Sequence, residues 1–223
     1  MISVIIPSKT AANLEASAGA KIEHEPRWMP LYVVDDGLER LPDICDGCGL
    51  LQGVKPFVFA RNVNLGITEA LKSSECEGVV LLNDDAILKT PDGFTKLKQF
   101  ADAHPEVGIV APATNITGQK LQWPKFRTPE GFRFVDQVPF VCVYIPRRTL
   151  DRIGLLDERY CLDYGVEDRD YCEAVTRAGM KIAIVYDVYV DHGSLRSSFR
   201  GDPKAPKSFQ RNYALFKQKW GIR

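Results

Sequence analysis

The chain has 223 residues, 45% of them hydrophobic and 26% charged, a composition that fills one globular core and argues against disorder. Lys and Arg together number 29 and so do Asp and Glu, which leaves no net positive field to hold nucleic acid or an anionic membrane surface. The amino terminus lacks the pattern of a signal peptide and no apolar run nears the roughly 20 residues that span a bilayer, so the expectation is a cytoplasmic protein without a membrane span.

In chain order, short apolar runs alternate with helical stretches, the pattern of an α/β fold with an open, mostly parallel sheet flanked by helices. Ser3-Val4-Ile5-Ile6 reads as a buried strand stopped by Pro7, and Leu31-Tyr32-Val33-Val34 as a second ending at Asp35-Asp36-Gly37. Phe57-Val58-Phe59 reads as a third strand with a helix over Ile67 to Ser73, and Val79-Val80-Leu81-Leu82 as a fourth ending at Asn83-Asp84-Asp85. A helix over Pro91 to His104 and a strand over Gly108 to Pro112 follow, then a Gly-, Pro- and aromatic-rich lid or loop from Asn115 to Arg133. The second half continues with a strand from Phe140 to Ile145, a short helix from Arg147 to Ile153, and a helix from Glu167 to Ala178 capped by Gly179. Lys181 to Tyr186 is a strand continued by the alternating stretch to His192, and a basic tail leads to a helix near Phe209 to Trp220.

Polar clusters thus stand at the carboxyl ends of apolar strands, where open parallel sheets bind ligands. Asn83-Asp84-Asp85 puts two carboxylates in one turn, suited to a hard divalent cation on a diphosphate, and equally to a helix cap or plain turn. Asp35 and Asp36 fit hydrogen bonds to a base or ribose, or a turn that Gly37 permits. Glu167 and Asp168 open a helix, where carboxylates cap free N–H groups and where one can also take a proton from a hydroxyl. His192 is either structural or a metal-shell imidazole. Cys45-Asp46-Gly47-Cys48 has zinc-ligand spacing but no second pair, so a turn is the competing reading; the six scattered cysteines suit a reducing compartment. Asn115-Ile116-Thr117 is a formal glycosylation acceptor, idle without secretion. The glycine fingerprints of dinucleotide sites and P-loops are missing, as is a G-x-S-x-G elbow.

Five stretches, Ser3-Val4-Ile5-Ile6-Pro7-Ser8, Val33-Val34-Asp35-Asp36-Gly37, Arg61-Asn62 before Asn64-Leu65-Gly66-Ile67, Leu81-Leu82-Asn83-Asp84-Asp85, and Ile153 to Tyr160 followed by Tyr164-Gly165-Val166-Glu167-Asp168-Arg169-Asp170-Tyr171-Cys172, resemble in order the family-2 glycosyltransferases of the GT-A fold over roughly residues 1–195. The last stretch, similar to the family's G-x-E-D-x-D-x-C, is the most specific. The family has Asp where this chain has Asn83, and commonly a small Gly near Val138-Pro139-Phe140-Val141.

The resemblance implies one domain of 1–223. Its Rossmann-like nucleotide-sugar half would cover 1–112, its acceptor and catalytic half 113–195, and its basic tail and helix 196–223. It further implies Pro7, Ser8, Asp35, Asp36, Arg61, Asn64, Gly66, Asn83 and Asp84 at the nucleotide, Asp85 and His192 on Mn2+ or Mg2+, and Asp168 as catalytic base beside Glu167. Trp123, Phe140 and Tyr164 would lie on the acceptor side, with Phe126 and Phe132 also in the lid. The expected reaction is inverting transfer of a sugar from a nucleoside diphosphate, a UDP-sugar favoured, to a hydroxyl. The competing readings are a catalytically silent nucleotide-sugar binder, which needs Asp36 and Asp85 but not Asp168, and a sugar nucleotidyltransferase, for which 8–19 lacks a glycine-rich basic loop.

Overall fold

The computed structural model describes residues 1–160, 165–195 and 205–222. The first half comprises β1 (Ile2–Ser8), α1 (Ala11–His24), β2 (Leu31–Asp35), β3 (Gly49–Gln52), α2 (Phe59–Leu71) and β4 (Gly78–Leu82). Then come β5 (Ile87–Leu88), α3 (Gly93–Ala103), β6 (Val107–Thr114), β7 (Phe132–Val135), β8 (Cys142–Pro146), α4 (Arg147–Ile153), α5 (Glu167–Arg177), β9 (Lys181–Asp191) and α6 (Ala205–Trp220). No helix among the described residues is long and apolar enough to cross a membrane.

The strands form one sheet in the order β3-β2-β1-β4-β8-β6-β9-β5, with β7 paired to β9. β1 runs parallel to β2 and β4, β2 to β3, and β6 to β9, whereas β8 enters antiparallel to both β4 and β6. This is a mostly parallel, mixed α/β sheet flanked by helices. Every residue of β1 and β4 is buried, as strands covered on both faces must be. Alternate residues serve opposite layers: Val4, Ile6, Val80 and Leu82 pack with Leu14 of α1 and Phe94 and Leu97 of α3, while Ile5, Val79 and Leu81 pack with Val63 and Ile67 of α2 and Val175 of α5.

Several local expectations are corrected. Phe57-Val58-Phe59 is not a strand, because Phe59 already begins α2, whose Ala60, Val63, Ile67 and Ala70 share one buried face at helical spacing. The third strand is instead Gly49–Gln52, a short edge strand whose Leu50 is exposed, so it carries little apolar signal. α1 was not anticipated, since its buried face is built of Ala11, Ala18, Ser17 and even Lys21 alongside Leu14. The stretch expected to be loop contains two short 3-10 turns and the start of β7. Cys45 and Cys48 close a turn through a 2.9 Å bond from the Cys48 amide to the Cys45 carbonyl, and among the described residues no third ligand joins them.

Candidate active site

The carboxyl ends of β1 and β4 open onto a cleft of about 390 Å³. Its floor is Pro7 and Asn83-Asp84-Asp85, and its walls come from Phe57 to Phe59, Ile116 to Gly118, Pro139 to Val141, Glu167 and Asp168, His192, and Asn212 of α6. The β1–β4 register, Ile5 beside Leu81, brings Ser8 next to the acidic turn. Ser8 Oγ donates to Asp84 Oδ2 at 2.7 Å. Burial, with the neighbouring Asp85 charge, pushes the Asp84 carboxyl up to about 6 despite that bond.

Asp85 and His192 meet although 107 positions separate them (192 − 85): Asp85 Oδ1 lies 3.2 Å from His192 Nε2. The other ring nitrogen, Nδ1, lies 2.7 Å from the Ile116 carbonyl. A carbonyl only accepts, so Nδ1 carries hydrogen and Nε2 of a neutral ring turns its lone pair toward the Asp85 carboxylate. Two lone-pair bearers at that distance require a positive charge, either a second ring proton or a cation. Burial works against ring protonation, but the Asp85 bond and the Ile116 carbonyl outweigh it and raise the imidazole above its ordinary value. Asn115 braces this arm, donating to Asp191 Oδ1 at 2.7 Å and accepting from the His192 amide at 2.9 Å.

Glu167 and Asp168 face the cleft from the first turn of α5, with Asp168 Oδ1 accepting from the Arg169 amide at 2.6 Å. Withdrawal from water, and for Glu167 also the Asp168 charge, raises both carboxyls, Glu167 to about 8. The chain enters this turn through Gly165 at φ 76° and Val166 at φ 91°. For a β-branched residue that backbone is strained, and it is held because the Val166 side chain is buried against Tyr160 and Phe216.

Other expected residues lie elsewhere. Asp35 Oδ1 accepts from the Gly37 and Leu38 amides, both at 2.7 Å, closing a turn. Asp36 is buried and paired with Lys55 Nζ at 2.6 Å. Arg61 sits 3.7 Å from Glu158. Asn64 and Gly66 face the interior and are not part of the cleft lining. Asn64 Nδ2 donates to the Leu156 carbonyl (2.9 Å) and Glu158 (3.0 Å), and its Oδ1 accepts from the Leu156 amide (3.0 Å). Gly66 lets α2 approach β1, for a Cβ there would stand 2.5 Å from Ile5 Cγ2. Trp123 is outside the cleft lining, packed against Phe126 at 6.4 Å under Lys125. Phe140 does line the cleft, edge-on to Tyr171, while Tyr164 lies outside the described residues. Tyr160, which ends one of the family-like stretches, Thr117 of the glycosylation acceptor and Asn212 also line the cleft, though the sequence assigned none of them to the site; Asn212 belongs to a helix with no motif to mark it.

No protein-family model matches the sequence, and no curated protein matches it significantly. Among solved structures, the chain is similar to GalNAc-T7 with UDP, GalNAc and Mn2+, at TM-score 0.73 and 13% identity over 96% of this chain and 48% of that one, so it spans about half of that protein. It is also similar to the mannosyltransferase PcManGT from Pyrobaculum calidifontis in complex with GDP-Man and Mn2+, at TM-score 0.69 and 18% identity over 99% of this chain and 71% of the other. At these identities the likeness is one of fold: the chain is built on the GT-A fold of these two glycosyltransferases.

Proposed function

We propose that the chain is a metal-dependent inverting glycosyltransferase that moves a sugar from a nucleoside diphosphate, a UDP-sugar favoured, to an acceptor hydroxyl. One observation carries this reading: a carboxylate and an imidazole from distant strand ends meet in a cleft whose wall carries a second pair of carboxyls. The two fold neighbours, with UDP and GDP-Man and each with Mn2+, support the same class of donor and ion.

Asp85 and His192 fit a divalent cation, since the Nε2 lone pair and the carboxylate converge where positive charge is required. A carboxylate–imidazole donor set suits Mn2+ better than Mg2+, which prefers oxygen alone. Among the described residues no cluster of three or more potential ligands exists, so diphosphate oxygens and water would complete the shell. A bound ion supplies electrostatic stabilisation of the departing diphosphate.

In this reading residues 1–112 hold the donor and 113–195 present the acceptor. Asp84, fixed by Ser8, accepts hydrogen bonds from the donor, and Pro7 and Phe57 bound its side of the cleft. Asp168 takes the proton of the acceptor hydroxyl as its oxygen attacks the anomeric carbon and the carbon–diphosphate bond breaks on the opposite face. Two neighbouring carboxyls that are both raised by withdrawal from water hold a proton between them near neutrality, and the ionised form of the pair supplies the base. Replacing Asp168 with Asn is expected to lower turnover by about 10²-fold or more with donor affinity retained, read by donor consumption and isothermal titration. Turnover near wild type removes Asp168 from that role.

A further inference from the structure

We propose that α6 forms the acceptor wall of the cleft and that the acceptor is a saccharide, one sugar ring of which lies against Phe209 beside Asn212. This rests on the glycosyl-transfer reading above. α6 reaches the cleft at Asn212, whose amide donates to the Gly165 carbonyl at 3.2 Å, two residues before Glu167. Phe209, one turn earlier, is outside the cleft lining but flanks the glycine that belongs to it: a Cβ on Gly165 would touch its ring at 3.4 Å.

Phe209 is 44% exposed, although it is the outer rung of an ordered aromatic ladder. Its ring stacks on Tyr213 (5.9 Å, 7° between planes), and Tyr213 stacks on Phe216 (6.0 Å, 17°). Arg169, adjacent to Asp168, lies over Tyr213 and Phe216 at 5.3 and 5.2 Å, which ties the ladder to the turn carrying the proposed base. The far end of the helix is clamped to buried Asp170, which accepts from Lys219 Nζ and Trp220 Nε1, each at 2.7 Å. The exposed ring is therefore held in a fixed plane, so little side-chain freedom is lost when a ligand covers it.

A sugar ring matches these surroundings on both its surfaces. Its C–H face complements an aromatic plane, and its hydroxyl rim complements the carboxyls at the cleft wall. Exposed Ile116, also in the cleft lining, adds a second apolar surface. An anionic acceptor would face Glu167 and Asp168 and is disfavoured.

The test is saturation-transfer NMR on the full chain with Mn2+, UDP or GDP, and the methyl glycosides of glucose, galactose, mannose and N-acetylglucosamine. Wild type is expected to saturate ring protons of at least one glycoside, Phe209→Ala to weaken that binding about fivefold or more, and Phe209→Tyr to restore it. No glycoside signal from wild type, or equal binding by Phe209→Ala, overturns the assignment. The nucleotide signals separate this idea from its premise. A nucleotide that binds without any Phe209-dependent glycoside sinks the helix assignment alone, whereas glycosides that depend on Phe209 with neither nucleotide bound sink the donor reading.

Discussion

Replacing Asn64 with alanine separates a structural from a nucleotide-binding role for the N-x-G segment. Asn64 is 4% exposed and makes three side-chain hydrogen bonds to the segment after α4, two of them to the backbone of buried Leu156. Truncation strands one amide and one carbonyl of Leu156 away from water. At about 1–2 kcal/mol for each stranded group, the variant should lose about 2–4 kcal/mol of stability. That is a large share of the roughly 5–15 kcal/mol by which domains are stable. Urea unfolding followed by circular dichroism measures it, and titration of UDP with Mn2+ into the folded variant supplies the second reading. Lowered stability with nucleotide affinity within about twofold of wild type is the expected pair. A variant as stable as wild type that binds nucleotide tenfold or more weakly, by about 1.4 kcal/mol, refutes the structural role.

His192→Ala should weaken Mn2+ binding by at least about tenfold in the presence of UDP, by titration calorimetry, and a chelator should stop donor turnover; unaltered affinity removes the imidazole from the cation. Glu167 has a raised carboxyl, so its neutral form is favoured by the fold: its contribution to stability is full below the ordinary glutamate value and is lost as pH rises toward about 8. Glu167→Gln should flatten that decline in urea midpoints compared at about pH 5 and about pH 8.5, and an unchanged slope would count against a raised carboxyl at this position. Asp170→Ala should cost about 3 kcal/mol, because it leaves the Tyr160 hydroxyl and the Trp220 indole N–H without their acceptor and Lys219 with Asp157 alone, and limited proteolysis should then cut near α6; full resistance contradicts the clamp.

The sheet was legible wherever strands are buried on both faces, since Val4 to Ile6 and Val79 to Leu82 form uninterrupted apolar runs. It was hidden where burial is one-sided or built of small residues: β3 exposes Leu50, and α1 buries Ser17 and Lys21, whose Nζ donates to the Met29 carbonyl at 2.6 Å. The acidic turn after β4, the pair opening α5 and His192 do border one cleft, because each ends or begins an element whose apolar pattern is strong. The packing role of the N-x-G segment was not legible, because Asn and Gly there serve contacts distant in sequence: one clamps a loop and the other admits a strand. The part played by α6 left no trace in the sequence, for what brings Asn212 to Gly165 is a set of contacts made 40 or more positions away.

The reversal of direction between β4 and β8 has an evolutionary consequence. The backbone N–H of Asn83 donates to the Val141 carbonyl at 2.9 Å, so the two halves of the sheet meet along a seam that reaches the cleft floor. Ladder bonds on either side lock that seam, and the loops that meet there hang from separate anchors. Selection can therefore rewrite the residues between Pro139 and Val141, or the face of α6, while the acidic turn on the opposite bank keeps its register.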